Sequence, residues 1–127
     1  MYILSNVGAF GDGVYKIGMT RRLEPLERVK ELGGAPVPFP FDVHAMIYGE
    51  DAPALECKLH QHFASRRINL VNLRREFFRV SLDEIRAAVA HHFGHVTFVT
   101  VPQAAEYRQT LALRKEQEIE PAALQIA

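Results

Sequence analysis

Tyr2-Ile3-Leu4-Ser5-Asn6 and Val14-Tyr15-Lys16-Ile17-Gly18 decide the fold. Each is a short run with strand composition, and Gly8, Gly11, Asp12 and Gly13 between them predict a turn. The pair therefore reads as a β-hairpin with a loop of several residues. Neighbouring side chains on a strand point to opposite faces, so only one of Tyr15 and Lys16 can face a given site.

Working outward, Thr20 leads into a predicted helix from about Glu24 to Leu32, with Pro25 in its first turn. Leu23, Leu26, Val29 and Leu32 recur at spacings of three and predict one apolar face. Gly33-Gly34 ends it, and Pro36, Pro38 and Pro40 force an extended connection. Phe41 to Tyr48 predicts a third strand, with Phe41, Val43, Ala45 and Ile47 alternating against Asp42, His44 and Met46. Asp51 has the chemistry of an N-cap for a helix from about Ala52 to Ala64, whose buried stripe is Leu55, Leu59 and Phe63. Arg66 to Arg75 reads as a polar, basic loop. Phe77 to Val80 predicts a short strand with one phenylalanine in the core and one on the rim. Ser81-Leu82-Asp83-Glu84 has a capping-box pattern and opens a helix to about His92. A strand from His95 to Val101, a helix from Pro102 to about Gln117 and a frayed tail complete the reading.

The order is β-β-α-β-α-β-α-β-α: an α/β (α+β) chain with a small mixed or antiparallel sheet of three to five strands flanked by helices. Two units are expected, a domain over residues 1–93 and a strand–helix extension over 94–127. The extension would pack on the domain or on a partner, as a homodimer or larger complex formed through the C-terminal helix.

Hydrophobic residues make up 48% of the 127, enough for a core. No apolar run reaches the ~18–20 residues of a membrane span, and no signal-peptide pattern opens the chain. Cys57 is the single cysteine, so no intramolecular disulfide or cysteine-based zinc site can form. These features predict a cytoplasmic protein without a membrane partner. Net charge is zero, but its distribution is uneven. Lys58 to Arg79 holds Lys58, Arg66, Arg67, Arg74, Arg75 and Arg79 against Glu76 alone, whereas the stretch from Val80 onward is net acidic. A polyanion would meet the middle of the chain, although such a stretch also suits a solvated loop.

Tyr2, Lys16, Arg28 and Glu56 lie on four elements that are close in sequence: the first two strands and the first two helices. A carboxylate that holds a divalent cation, an arginine that neutralises phosphate charge, and a phenol or amine that positions water are what phosphodiester hydrolysis requires. Each has a structural alternative. The tyrosines suit ordinary strand positions, Arg28 suits a helical pair with Glu24 or Glu31, and Glu56 suits a pair with Lys58. His60 and His62 lie roughly 200° apart on a helix and cannot share a metal. His91, His92 and His95 suit a helix end.

In order and spacing the chain resembles the GIY-YIG endonuclease superfamily. Its first motif, Gly-Ile-Tyr-x-Ile-x-Asn, is matched by Met1-Tyr2-Ile3-Leu4-Ser5-Asn6 without the glycine. Its second, Tyr-Ile-Gly followed by Thr or Ser, is matched by Lys16-Ile17-Gly18-Met19-Thr20, with lysine in the tyrosine slot. Arg28 and Glu56-Cys57-Lys58-Leu59-His60 follow in order, and with Glu76-Phe77-Phe78 the series is similar to the phage T5-type DNA-binding branch. Many members carry a histidine where Leu32 stands. The resemblance spans about residues 1–85 and implies a metal-dependent endonuclease acting on DNA, leaving a 5′-phosphate and a 3′-hydroxyl. It implies Tyr2 as general base or water-orienting group, Lys16 near the nucleophile with Tyr15 beside it, and Arg28 on the scissile phosphate. It further implies Glu56 as ligand to Mg²⁺ or Mn²⁺, and His60, one turn later, as a supporting or phosphate contact. Arg21, Arg22, Arg66, Arg67, Arg74 and Arg75 are the expected contacts to the DNA backbone.

Overall fold

The computed structural model describes residues 1–20, 24–34, 36–94, 96 and 104–126, with side chains through residue 117. The hairpin forms as expected. β1 (Tyr2–Ser5) pairs antiparallel with β2 (Val14–Gly18), with Tyr2 opposite Gly18 and Leu4 opposite Lys16. The connection is more structured than a turn. Asn6 caps a single helical turn, α1 (Val7–Phe10), by accepting from the Ala9 N–H at 3.3 Å, and its amide donates to Phe39 O at 2.6 Å. Asparagine is a strong N-cap, and Gly11 at φ 79° then reverses the chain.

β3 (Asp42–Met46) pairs with the other edge of β1, and β4 (Phe77–Arg79) with the other edge of β2. The sheet has four strands in the order β3-β1-β2-β4, and every pairing is antiparallel. Helices flank it, so the fold is α+β.

β3 departs from simple alternation. Ile3 pairs with Ala45 but Leu4 with Val43, so His44 is an extra residue, a β-bulge. The extra residue inverts the parity of the strand. Val43 packs with Met46, Phe41 and Leu4 on one face, while Ala45 and Ile47 enter the core on the other. His44 is buried, 2.6 Å from Ser5 Oγ.

The main core lies between one sheet face and two helices, α3 (Ala52–His62) and α4 (Leu82–His92). Ile3, Ile17 and Phe78 from the sheet meet Leu55, Leu59, Ile85 and Val89 from the helices. The Leu55–Leu59–Phe63 stripe is buried as its spacing predicts, and Phe78 takes the core position while Phe77 stays part-exposed. Asp51 makes no capping hydrogen bond, and α3 ends at His62 before a 3-10 turn over Ala64–Arg66. Ser81 does cap α4, accepting from the Glu84 N–H at 3.1 Å.

α2 (Pro25–Leu32) covers the opposite face through Val29 and Leu32, against Tyr2, Leu4 and Phe41. Leu26 is exposed, contrary to the expected stripe. Steps of three residues rotate about 60° short of a full turn, so a row at that spacing drifts off one face. Leu23, Arg21 and Arg22 lie outside the described residues, as does the expected strand over 95–101 apart from residue 96.

α5 (Ala105–Ile126) continues past Gln117 rather than fraying there; its later residues include the strong helix formers Ala122, Ala123 and Leu124. Its start is tied to the sheet domain by Ala104 N–H donating to Asp42 Oδ2 at 2.9 Å and by an edge-on Phe39–Tyr107 contact. Leu111 and Leu113 face outward. Among the described residues no helix is long and apolar enough to cross a membrane.

Candidate functional site

Strand parity builds the first half of the site. Tyr2 and Gly18 are cross-strand partners, and Leu4 opposite Lys16 puts Lys16 on the same face as Tyr2. Tyr15 takes the other face, edge-on to the His44 ring at 5.3 Å, and stands apart from Lys16 and Tyr2. A Cβ on Gly18 would lie 2.7 Å from the Tyr2 ring, 2.8 Å from its hydroxyl and 2.9 Å from Glu76 Oε2. A residue without a side chain at position 18 is what allows Tyr2 and Glu76 to close over β2.

The backbone of Ile17 joins the second half. Its N–H donates to Glu76 O at 3.1 Å, and its carbonyl accepts from His60 Nε2 at 2.7 Å. A carbonyl only accepts, so Nε2 carries the imidazole proton and Nδ1 holds the lone pair. His60 Nδ1 lies 4.0 Å from Glu56 Oε1, one turn earlier on α3. One ligand atom each from Glu56, His60 and Glu76 lies within 4.8 Å of the others. Among the described residues, Glu56 Oε2 is buried and has no hydrogen-bond partner. Met19, Thr20 and Pro53 line a solvent-open cleft beside it.

The charges respond to this crowding. Burial, then the neighbouring Glu76 carboxylate, pushes the Glu56 carboxyl above its usual range; His60, the N-terminal amine and Lys16 oppose this only in part. Burial and then Glu76 push the Tyr2 phenol upward, against the opposing charge and hydrogen bond of Arg28. Burial lowers the Lys16 ammonium, although Glu76 pulls the other way. Lys16 Nζ lies 3.8 Å from Glu76 Oε2 and 4.9 Å from the centre of the Phe77 ring.

Tyr2, Lys16, Arg28, Glu56 and His60 thus come together. Arg28 reaches Tyr2 while its Nη1 lies 3.4 Å from Glu31 Oε2 on the same helix. Glu76 is the member to which sequence reasoning assigned no role. Its only signal was the Glu76-Phe77-Phe78 run, and the long-range pairing of β4 with β2 brings it in.

The expected DNA-contacting arginines divide. Arg66 is held by Glu84 through hydrogen bonds of 2.8–3.1 Å. Arg67 turns inward, donating to His60 Nδ1 at 3.3 Å and Leu73 O at 3.1 Å, and stacks on Phe78 at 4.9 Å. Arg74 and Arg75 are exposed.

A buried carboxylate oxygen without a partner among the described residues and a second carboxylate are oxygen donors that suit a hard divalent cation, while the nearby His60 Nδ1 already accepts from Arg67. Beside these carboxylates sit a guanidinium, an amine and a phenol, the groups that bind and protonate phosphate oxygens. No curated protein and no solved structure matches the chain. The profile of the T5orf172 domain, a phage-associated domain related to nucleases, matches residues 1–92, so the chain belongs to the T5orf172 domain family.

Proposed function

We propose that this protein is a divalent-metal-dependent endonuclease of GIY-YIG type that hydrolyses phosphodiester bonds in DNA. The observation that carries the reading is Glu56 Oε2, buried beside Glu76 and His60 without a hydrogen-bond partner among the described residues. Burying an unpaired carboxylate is costly, and a cation at that point relieves both the missing partner and the repulsion from Glu76. Glu56 would hold Mg²⁺ or Mn²⁺, with Glu76 as a further oxygen donor. When bound, the ion supplies positive charge against the phosphate oxygens.

The chain's own groups do the rest. Arg28 clamps the scissile phosphate and neutralises charge that builds in the transition state. Tyr2, held in its protonated form, donates a hydrogen bond and orients the phosphate or water; its raised phenol makes it a poor base in the free protein. Lys16, whose ammonium burial makes easier to deprotonate, would take a proton from the attacking water only after giving up its own. The ring of His60 is fixed by Ile17 O on one side and by Arg67 on the other, and would stand as a supporting contact beside Glu56. Membership of the T5orf172 domain family supports a role in this chemistry.

Plasmid nicking with Mg²⁺ tests the reading. Wild type should nick, and Glu56→Ala and Arg28→Ala should each lose at least about 100-fold. Equal activity in all three sinks it. A second reading, a DNA-binding domain that cleaves little, is favoured by one observation: the lysine in the tyrosine slot is ion-paired with Glu76. Salt-dependent DNA binding with no cleavage under Mg²⁺ or Mn²⁺ would establish that reading instead.

A further inference from the structure

The loop that joins the 3-10 turn to β4 is built rather than slack. Asn69 Oδ1 accepts from the N–H groups of Val71 and Asn72 at 3.0 and 2.8 Å, and Asn72 Oδ1 from Arg74 N–H at 3.1 Å. Ile68 N–H donates to Phe77 O at 3.0 Å, and Arg67 closes the loop on Leu73 O. The side chains that this frame holds outward are aliphatic. Leu70 is 68% exposed, Val71 96%, and Ile68 and Leu73 are about half exposed. Four large apolar side chains on one ordered loop mark a contact surface. At its base Arg74 and Arg75 make no ion pair or side-chain hydrogen bond among the described residues.

An apolar tip above two free guanidinium groups matches a partner that is anionic outside and apolar within. Duplex DNA has that chemistry, with phosphates on its surface and a base stack behind them. The loop is also fastened to the site, because one Arg67 guanidinium touches both Leu73 O and His60 Nδ1. The loop therefore adjoins the site, within reach of a strand bound there. Resting on the nuclease reading, we infer that Leu70 and Val71 form a wedge that enters a base step of duplex DNA while Arg74 and Arg75 hold the flanking phosphates. The wedge unstacks and bends the duplex next to the cleaved bond, which gives the enzyme a preference for deformable steps without base-specific hydrogen bonds.

The test uses the full chain, in EDTA, with duplexes carrying 2-aminopurine at successive positions. Wild type should raise the fluorescence at one step. Leu70→Ser combined with Val71→Ser, both exposed and harmless to the core, should abolish that rise and weaken binding about tenfold, a loss of ~1.4 kcal/mol, with the salt slope unchanged. Arg74→Ala with Arg75→Ala should instead reduce the salt slope by about two. A serine variant that binds and unstacks like wild type overturns the wedge, as does wild-type binding with no rise at any position. Preference for anionic vesicles over DNA also overturns it. Plasmid nicking by wild type alongside silent loop variants would remove the wedge and leave the nuclease; absence of DNA binding would remove both.

Discussion

Replacing Glu56 by glutamine should make the metal-free protein more stable. Glu56 Oε2 is buried without a partner among the described residues, and Glu76 lies against it. An unsatisfied buried acceptor costs about 1–3 kcal/mol. The glutamine amide removes the charge and brings an N–H that can donate to Glu76. A gain of about 1–2 kcal/mol follows. At roughly 4 °C per kcal/mol for a domain of this size, the melting temperature should rise by about 4–8 °C. Thermal melts by circular dichroism in EDTA near neutral pH measure it.

The pH dependence has a fixed sign. Burial and Glu76 hold the Glu56 carboxyl above its ordinary 4.5, so the folded state binds this proton more tightly than the unfolded chain. Wild-type stability then falls as pH rises through the raised value, and below it the neutral carboxyl resembles the amide. The gap between the two melts should close in acid and open toward neutrality. Mn²⁺ at ~100 times its dissociation constant should add about 2.7 kcal/mol to wild type, roughly 10 °C, and little to the variant. A glutamine variant that melts at or below wild type in EDTA, or equal stabilisation of both by Mn²⁺, refutes the reasoning.

Gly18→Ala places a methyl against the Tyr2 ring and hydroxyl and Glu76; it should leave the fold intact at a cost of about 1–3 kcal/mol and reduce nicking about 100-fold, and undiminished nicking would show that their placement is unimportant. Asn6→Ala removes both the α1 cap and the donor to Phe39 O, so urea denaturation should show a loss of about 2–4 kcal/mol; a loss below ~0.5 kcal/mol would contradict it. Asp42→Ala takes away the acceptor for Ala104 N–H, and amide exchange over residues 105–110 should speed about tenfold while residues 1–92 are unchanged; unaltered exchange in α5 would show that Asp42 does not hold it.

Much of the fold was legible because its signals are local. The β1–β2 hairpin, the Leu55–Leu59–Phe63 stripe and the Ser81 cap each depend on residues a few positions apart, and each forms as read. What was hidden depends on pairing. The His44 bulge exists only because β3 must match β1, and no period within Phe41–Tyr48 announces it. The site divides the same way. Parity alone stated that Tyr15 and Lys16 must separate, and the pairing of Leu4 with Lys16 decides which joins Tyr2. Glu76 and the capture of Arg66 by Glu84 needed the docking of β4 and α4. A run of arginines carries no mark of which ones the fold has already engaged.

The Ile17 peptide holds Glu76 on its nitrogen side and His60 on its oxygen side. Both grips are main-chain atoms, present whatever residue occupies position 17. Side-chain substitutions at position 17 would pass over this junction and register only the loss of an apolar residue from the core. Chemical synthesis reaches it: an ester in place of the amide at position 17 deletes the grip on Glu76 and weakens the carbonyl that precedes it, while leaving every side chain in the protein unaltered.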